Sequence, residues 1–391
     1  MPRDSIILGL SGYRIQRIHG GNPVIMNVRY TGEVTCPFCG SDSLRTKARY
    51  IRKLRHDNYG TRPCYIHLQG RKYLCRDCGR YFNQRFPGVL PRYRSTEVYR
   101  RHVFRNHMDG ICSKTLAERE RIGSATVERW YQSLLEKRVS ERKNSPCPEA
   151  LGIDEHFFTR RKGYVTTFCD LKHHKVFDIA LGRSERSLEG FLNSLRGRDR
   201  VKMVCIDLSR TYRSIVKKYF PNATIVADRF HVIRIINNHF LNTWRALDPV
   251  ASRNRGLLSL MRRHEKNMRP DQRIRLEEYF KGHPVIGSIY SFKQELCQML
   301  LRKTCCPKTC RKMIPRLIDL IAQLQNSGFD NLVTLGNTLD DWIDEIVCMW
   351  RYTKNNGITE GFHNKMKMIV RRAYGFRNFA NYRLRVRALC A

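Results

Sequence analysis

The chain is short of acids. Its 391 residues carry 35 Asp+Glu against 73 Lys+Arg, a formal net charge of +38 and a pI near 10.1. Such an imbalance points to a polyanionic partner, most simply nucleic acid, although a merely solubilising or ribosomal-type charge has the same composition. A long apolar run is missing too. The N-terminal "MPRDSIILGLSGYRIQ" is too briefly apolar to be the core of a signal peptide or a membrane span, which predicts an intracellular protein. There is no internal repeat and no low-complexity tract. With 41% hydrophobic and 10% aromatic residues, wholesale disorder is excluded, and the length predicts two to four domains.

Cysteine is plentiful, at 15 residues. In an intracellular protein these are mostly thiols, and metal binding is the first chemistry to ask of them. Two pairs stand out: "CPFCGS" (Cys36, Cys39) and "YLCRDCGRYF" (Cys75, Cys78). Each is a C-x-x-C followed by glycine, the form of a tight turn whose amides face the thiolates, and two such turns supply the four sulfurs of a structural Zn²⁺ site. The stretch between the pairs predicts strands. Cys305, Cys306 and Cys310 have no His cluster nearby and are read as plain helical cysteines.

From Arg45 to Arg105 there are 17 Lys/Arg and three acids, interleaved with Tyr, Phe and His. A basic surface of this kind grips phosphates, with Arg52 and Arg55 among the expected contacts, unless it is simply a solvated face. "CSKTLAERERIGSATVERWYQSLLEKR" then reads as a helix, a break at Ile122-Gly123, and a second helix capped by Ser124. Leu116, Ala117, Ile122, Val127 and Trp130 or Tyr131 have the spacing of a helix-turn-helix core. In that reading Ala125, Thr126, Glu128 and Arg129 face the DNA major groove; a plain helical hairpin has a similar pattern.

From Ala150 the pattern turns to strands: "ALGIDEHFF", "YVTTFCDL" and "KVFDIALG" at hairpin spacing, then helix, "VKMVCIDL", helix, and "ATIVADRFHV". This β-β-β-α-β-α-β order predicts a mixed sheet with helices against it. Val232 to Met349 is almost entirely helical. Phe329–Met349 holds five acids and no Lys or Arg, and reads as one exposed helical face available to pair with the basic segments.

Two apolar runs end in aspartates, Asp154 and Asp207, and a third acid, Glu360, opens the helix after the turn at Asn356-Gly357. Phe362, Met366, Ile369 or Val370, and Ala373 make that helix's buried stripe. Glu360, His363, Asn364 and Lys367 fall on another face, a carboxylate beside phosphate donors. Two strand-end aspartates and a glutamate on a covering helix can hold two Mg²⁺, the arrangement that assists phosphodiester displacement. Glu155 is expected on the opposite face of its strand. Each acid taken alone is equally an ordinary strand-end or helix-face residue.

With its cysteine pairs, the helix pair, "GIDE" (152–155), "CIDLS" (205–209), "VADRFHV" (226–232) and "NNGITEGFHNKMK" followed by "AYGFRNF", nearly the whole chain resembles the insertion-sequence transposases of the ISL3 family. The resemblance implies a DDE catalytic domain of RNase H-like fold, with Asp154, Asp207 and Glu360 as catalytic triad and ligands of two Mg²⁺ or Mn²⁺. Asp228 and His231, in a D-x-x-H pattern, are implied as active-site supports, while Lys367 is expected as a DNA contact from its place among the phosphate donors of the Glu360 face. The implied organisation is multidomain α+β. A zinc-binding DNA-binding module (1–108) precedes a helix-turn-helix and linker (109–145). The first part of the catalytic domain (146–235) is interrupted by an all-helical insertion (236–350) and completed by the segment carrying the Glu (351–391). The implied partners are double-stranded DNA, as terminal inverted repeats and target, and further copies of the chain in a homodimer or higher oligomer. The implied location is the bacterial cytoplasm, at the nucleoid. The rival reading is a sequence-specific DNA-binding regulator whose sheet domain no longer catalyses; the presence of all three acids favours an enzyme, and a nuclease or junction resolvase that cuts without joining would use the same triad.

Overall fold

The computed structural model describes residues 3–140, 145–352, 357–373, 375–376 and 378–390. The turn expected at Asn356 and part of the linker after Ser140 lie outside them. The chain forms two compact units, Met1–Arg138 with Arg372–Gly375, and Val139–Arg371 with Phe376–Ala391.

In the first unit, a short helix α1 (Arg3–Leu8) leads to strands β1 (Tyr13–His19), β2 (Val24–Tyr30), β3 (Leu44–Tyr59), β4 (Arg62–Cys75) and β5 (Tyr81–Asn83). The sheet order is β1-β2-β4-β3, with β5 also on β4. The strands expected between the cysteine pairs are one long hairpin, β3 antiparallel to β4, turned at Gly60 in the left-handed region (φ 63°). Period-2 burial fixes its inner face. Val24, Met26 and Val28 of β2 and Cys64, Ile66 and Leu68 of β4 point into one core with Leu8, Leu54, Phe86 and Val89.

Three helices follow: α2 (Glu97–Met108), α3 (Ser113–Glu120) and α4 (Ser124–Ser140). Leu116 and Val127 pack as the spacing predicts, with Ala117, Ile122 and Trp130 beside them, but Tyr99 and Val103 of α2 complete the core. Arg121 ends α3 in the left-handed conformation (φ 52°). The cap of α4 falls one residue earlier than expected, since the Gly123 carbonyl accepts from the amides of Thr126 and Val127.

Arg55 corrects an expectation. It is 9% exposed, and its guanidinium turns inward to Glu120 of α3 at 3.1 Å rather than outward to phosphate. It also donates to the carbonyls of His56 and Cys64, and lies 4.5 Å from the centre of the Tyr99 ring. A buried guanidinium needs this full set of acceptors.

The second unit contains β6 (Ala150–Thr159), β7 (Gly163–Asp170), β8 (Lys175–Leu181), α5 (Glu185–Ser194), β9 (Met203–Ile206), α6 (Arg210–Tyr219) and β10 (Thr224–Ala227), in the expected order of elements. The sheet order is β10-β9-β6-β7-β8; β6, β9 and β10 run parallel, and β7 is antiparallel to both neighbours. Helices follow: α7 (Arg229–Leu247), α8 (Arg255–Arg262), α9 (Pro270–Gly282), α10 (Pro284–Leu300), α11 (Pro307–Gln325), α12 (Asp330–Asp341), α13 (Ile343–Arg351), α14 (Gly357–Arg372) and α15 (Phe379–Leu389).

The helical segment has two fates. Leu241, Trp244, Leu260, Met261, Leu276, Ile286 and Tyr290 form a small core of their own. Leu296, Leu317, Leu335 and Trp350 instead share one core with Ile153, Phe168, Val204 and Ile206 of the sheet. Four of the five acids in the acidic stretch, Asp330, Asp340, Asp341 and Asp344, are exposed as expected, and the fifth is not. Glu345 is buried and pairs with Arg213 of α6 at 2.6 Å, and the Arg213 guanidinium lies 3.7 Å from the Trp342 ring centre.

Candidate active site and zinc centre

The zinc centre sits at the open end of the β3–β4 hairpin, where Cys36 and Cys39 precede β3 and Cys75 ends β4. The Cys36 and Cys78 Sγ atoms are 3.6 Å apart, as are those of Cys39 and Cys75, and all four lie within 4.8 Å of one another. Four thiolates about 2.3 Å from one Zn²⁺ would stand about 3.8 Å apart, so the geometry fits that ion. Both knuckles close alike. Gly40 and Gly79 take left-handed φ values of 79° and 69°, and their amides bond to the Cys36 and Cys75 carbonyls. The Cys78 amide aimed at the Cys75 thiol draws its pKa down to about 7.

In the second unit, Asp154 lies within β6, not at its end. What ends is its neighbour: β9 pairs with β6 only as far as Gly152↔Cys205. Beyond that point the sheet opens, Asp207 emerges from the C-terminal end of β9, and Asp154 faces the same gap. The mouth at the carboxyl ends of parallel strands is where open sheets bind ligands. Asp228 follows β10 and caps α7 by accepting from the Phe230 amide, so His231 enters from the first turn of α7. Ligand atoms of Asp154, Asp207 and His231 all lie within 4.8 Å of one another.

Electrostatically the group is incomplete. Burial, then the neighbouring Asp207 charge, pushes the Asp154 carboxyl up to about 7, and burial raises Asp207 as well. Asp207 Oδ1 is buried and has no hydrogen-bond partner among the described residues. Asp154 Oδ1 accepts from the Glu155 amide at 2.7 Å. Glu155 itself is engaged elsewhere, accepting from Tyr212 at 2.9 Å and Arg183 at 3.2 Å. A divalent cation between the carboxylates would satisfy the orphaned oxygen and relieve the paired charge.

Glu360 is exposed on α14 and does not belong to the group within 4.8 Å. His363, one turn on, departs from the expected donor face: it is buried on the stripe with Thr359, Met366 and Ile369. Its Nδ1 is 3.7 Å from Asp154 Oδ2 and its Nε2 is 3.1 Å from the Thr167 hydroxyl. Thr167 also meets His156 Nδ1 at 3.2 Å, and His156 Nε2 meets the Tyr382 hydroxyl at 2.9 Å. This buried polar chain ties α14 and α15 to the two strands behind Asp154. Burial draws the two rings down, His363 to about 3 and His156 to about 4, so both are neutral hydrogen-bonding groups at neutral pH. Sequence reading placed His363 on the wrong face and missed His156, Thr167 and Tyr382. The i, i+2 step from Asp154 to His156 was the available signal.

Arg229 was also missed. It is buried, and its guanidinium donates to the carbonyls of Leu300, Arg302 and Met349, anchoring the start of α7 to the ends of α10 and α13.

Of the remaining expected contacts, Ala125 and Arg129 are exposed on the first turns of α4, while Thr126 is half-buried. Glu128 is 3.7 Å from His107. Arg52 donates to the Leu90 and Tyr93 carbonyls and lines a groove of about 1600 Å³ with Lys53, Arg85, Arg92 and Arg94. Lys367 is exposed.

Residues 151–386 match the DDE-type transposase model of the ISL3 family, and residues 32–78 match the zinc-finger of transposase IS204/IS1001/IS1096/IS1165. The chain belongs to the ISL3 family of transposases. It is also 24% identical, over 97% of its length and 96% of the relative's, to the transposase for insertion sequence element IS1001 of Bordetella parapertussis. As a transposase it acts on DNA, in keeping with its charge and zinc ribbon. No helix among the described residues is long and apolar enough to cross a membrane.

Proposed function

We propose that this transposase binds the terminal repeats of its element and, through an RNase H-like DDE domain, cleaves DNA strands and joins the freed 3′-OH to target DNA. The observation that carries the catalytic reading is the convergence of Asp154 and Asp207 beyond the end of β9, with a buried oxygen left unpartnered. The order β10-β9-β6-β7-β8, parallel but for β7, supports the RNase H-like assignment.

Asp154 and Asp207 would hold Mg²⁺ or Mn²⁺, with Glu360 as the third carboxylate once DNA is bound. It stands one helical turn before His363, whose ring meets Asp154. When bound, a pair of such ions activates the attacking oxygen and stabilises the leaving one. The chain's own residues supply the rest. The Glu155 amide holds Asp154 in place, the His363 ring lies 3.7 Å from its other oxygen, and Asp228 orients His231. Lys367 offers an exposed ammonium to substrate phosphate.

For end binding, α3 and α4 act as the helix-turn-helix, with Ala125, Thr126, Glu128 and Arg129 at the major groove. The groove of Arg52, Lys53, Arg85, Arg92 and Arg94 holds phosphates. Two ends must be brought together, so a homodimer or higher oligomer assembles on the DNA, in the bacterial cytoplasm at the nucleoid. Strand transfer with labelled donor ends tests this reading. A chain that binds ends but never cuts would be the regulator instead.

A further inference from the structure

We propose that His231 is a nitrogen ligand of the divalent cation held by Asp154 and Asp207, so that the site takes Mn²⁺ more tightly than Mg²⁺. The inference rests on the carboxylate-metal reading above and adds a third ligand. His231 Nδ1 is 2.5 Å from Asp228 Oδ2. Asp228 is 1% exposed and is itself fixed as the cap of α7, so the ring has one orientation and its Nδ1 carries the proton shared with that carboxylate. The other nitrogen, Nε2, faces the gap between the carboxylates. It is 3.8 Å from Asp207 Oδ2, too long for a hydrogen bond, and the side chain is only 12% exposed.

Those spacings suit ligation. Ligand atoms about 2.1 Å from one octahedral ion stand roughly 3.0 Å apart when adjacent and roughly 4.2 Å when opposite. A ring whose far N–H is held by a buried carboxylate is the usual form of a metal-bound histidine, because the carboxylate fixes the tautomer and raises the basicity of the ligating nitrogen. Buried Arg229 locks the same helical turn from its other side. Imidazole in an otherwise oxygen set shifts preference from Mg²⁺ toward Mn²⁺, which accepts nitrogen donors more readily.

The test is Mn²⁺ binding by the full chain, alone and with duplex DNA carrying the element's terminal repeat, followed by pulsed EPR for nitrogen coupling. Wild type should show imidazole coupling to bound Mn²⁺ that vanishes in His231→Ala, with Mn²⁺ affinity falling about 10–100-fold and Mg²⁺ affinity falling less. Asp228→Asn should keep the coupling but weaken binding about 10-fold, as loss of a partner behind a ligating ring does. His363→Ala should leave the coupling in place. Mn²⁺ bound in an Asp154-dependent way without nitrogen coupling would overturn His231 as ligand while leaving the carboxylate site intact. No Asp154-dependent Mn²⁺ binding, with or without DNA, would overturn the underlying reading as well.

Discussion

Replacing Glu120 by Ala should destabilise the first unit by about 3–5 kcal/mol, the usual cost of breaking a buried ion pair from one side. The structure shows why this is not a surface pair. The side chains of Arg55 and Glu120 are 10% and 6% exposed, at 3.1 Å. Without Glu120 the Arg55 charge keeps only neutral acceptors, the His56 and Cys64 carbonyls and Asn58 Oδ1. Arg55→Met combined with Glu120→Leu should cost less than the two single changes together, since no lone charge then remains buried. Denaturant unfolding of the zinc-loaded chain, followed through Trp130, reads both. DNA binding by properly folded Arg55→Met should keep the wild-type salt slope, because Arg55 contacts no phosphate. A loss under about 1 kcal/mol for Glu120→Ala would show the pair to be solvent-screened and the reasoning wrong.

Titration should expose the same cluster. The hydrogen bond from His102 holds the Glu120 carboxyl below its usual 4.5, and Glu120 in turn raises His102 above 6.5. Glu120's contribution is therefore lost as pH falls through its folded pKa. His102's is complete below about 6.5 and lost as pH rises through its folded pKa. Melting temperature should decline above pH 6.5 in wild type and less in Glu120→Gln; equal declines would remove Glu120 as the cause. Purified chain should hold about one Zn²⁺, lost in Cys75→Ser together with order at the open end of the β3–β4 hairpin; zinc retained by that variant would contradict the four-sulfur site. Arg229→Lys should cost about 2 kcal/mol, because a lysine cannot serve three carbonyls from one planar fork, and an unchanged melting curve would argue against that anchoring role. Without divalent cations at pH 8, Asp154→Asn should melt higher than wild type, since one of two adjacent buried charges is gone. A lower melting temperature would mean that Asp154 is already compensated by the protein.

Much of this was legible in the sequence because it is local. The C-x-x-C-G turns, the period-2 strands and the glycine break between α3 and α4 each announce themselves within a few residues. The order of strands and helices around Asp154 and Asp207 followed from periodicity alone. What depends on distant packing did not. Arg55 sits in a basic run whose composition says surface, and only the apposition of Glu120 turns it inward. His363 reads as a polar neighbour of Glu360, yet Thr167 and His156, far away in sequence, offer it a buried partner. Asp154 looked like a strand end because the apolar run stops there; in fact β6 continues, and it is the shorter β9 that opens the site. The division of the helical segment between its own core and the sheet's is likewise invisible in a uniformly helical pattern.

The most direct test is cleavage and strand transfer on DNA carrying the element's ends, with Mg²⁺ or Mn²⁺, comparing wild type with Asp154→Asn, Asp207→Asn and Glu155→Gln at equal folding and equal DNA binding. Either Asn variant should lose several orders of magnitude in rate, because removal of the ligand charge removes stabilisation of both the attacking and leaving oxygens. Glu155→Gln, already committed to Tyr212 and Arg183, should lose little. Robust cleavage by Asp154→Asn, or equal damage from Glu155→Gln, would place the chemistry on other carboxylates.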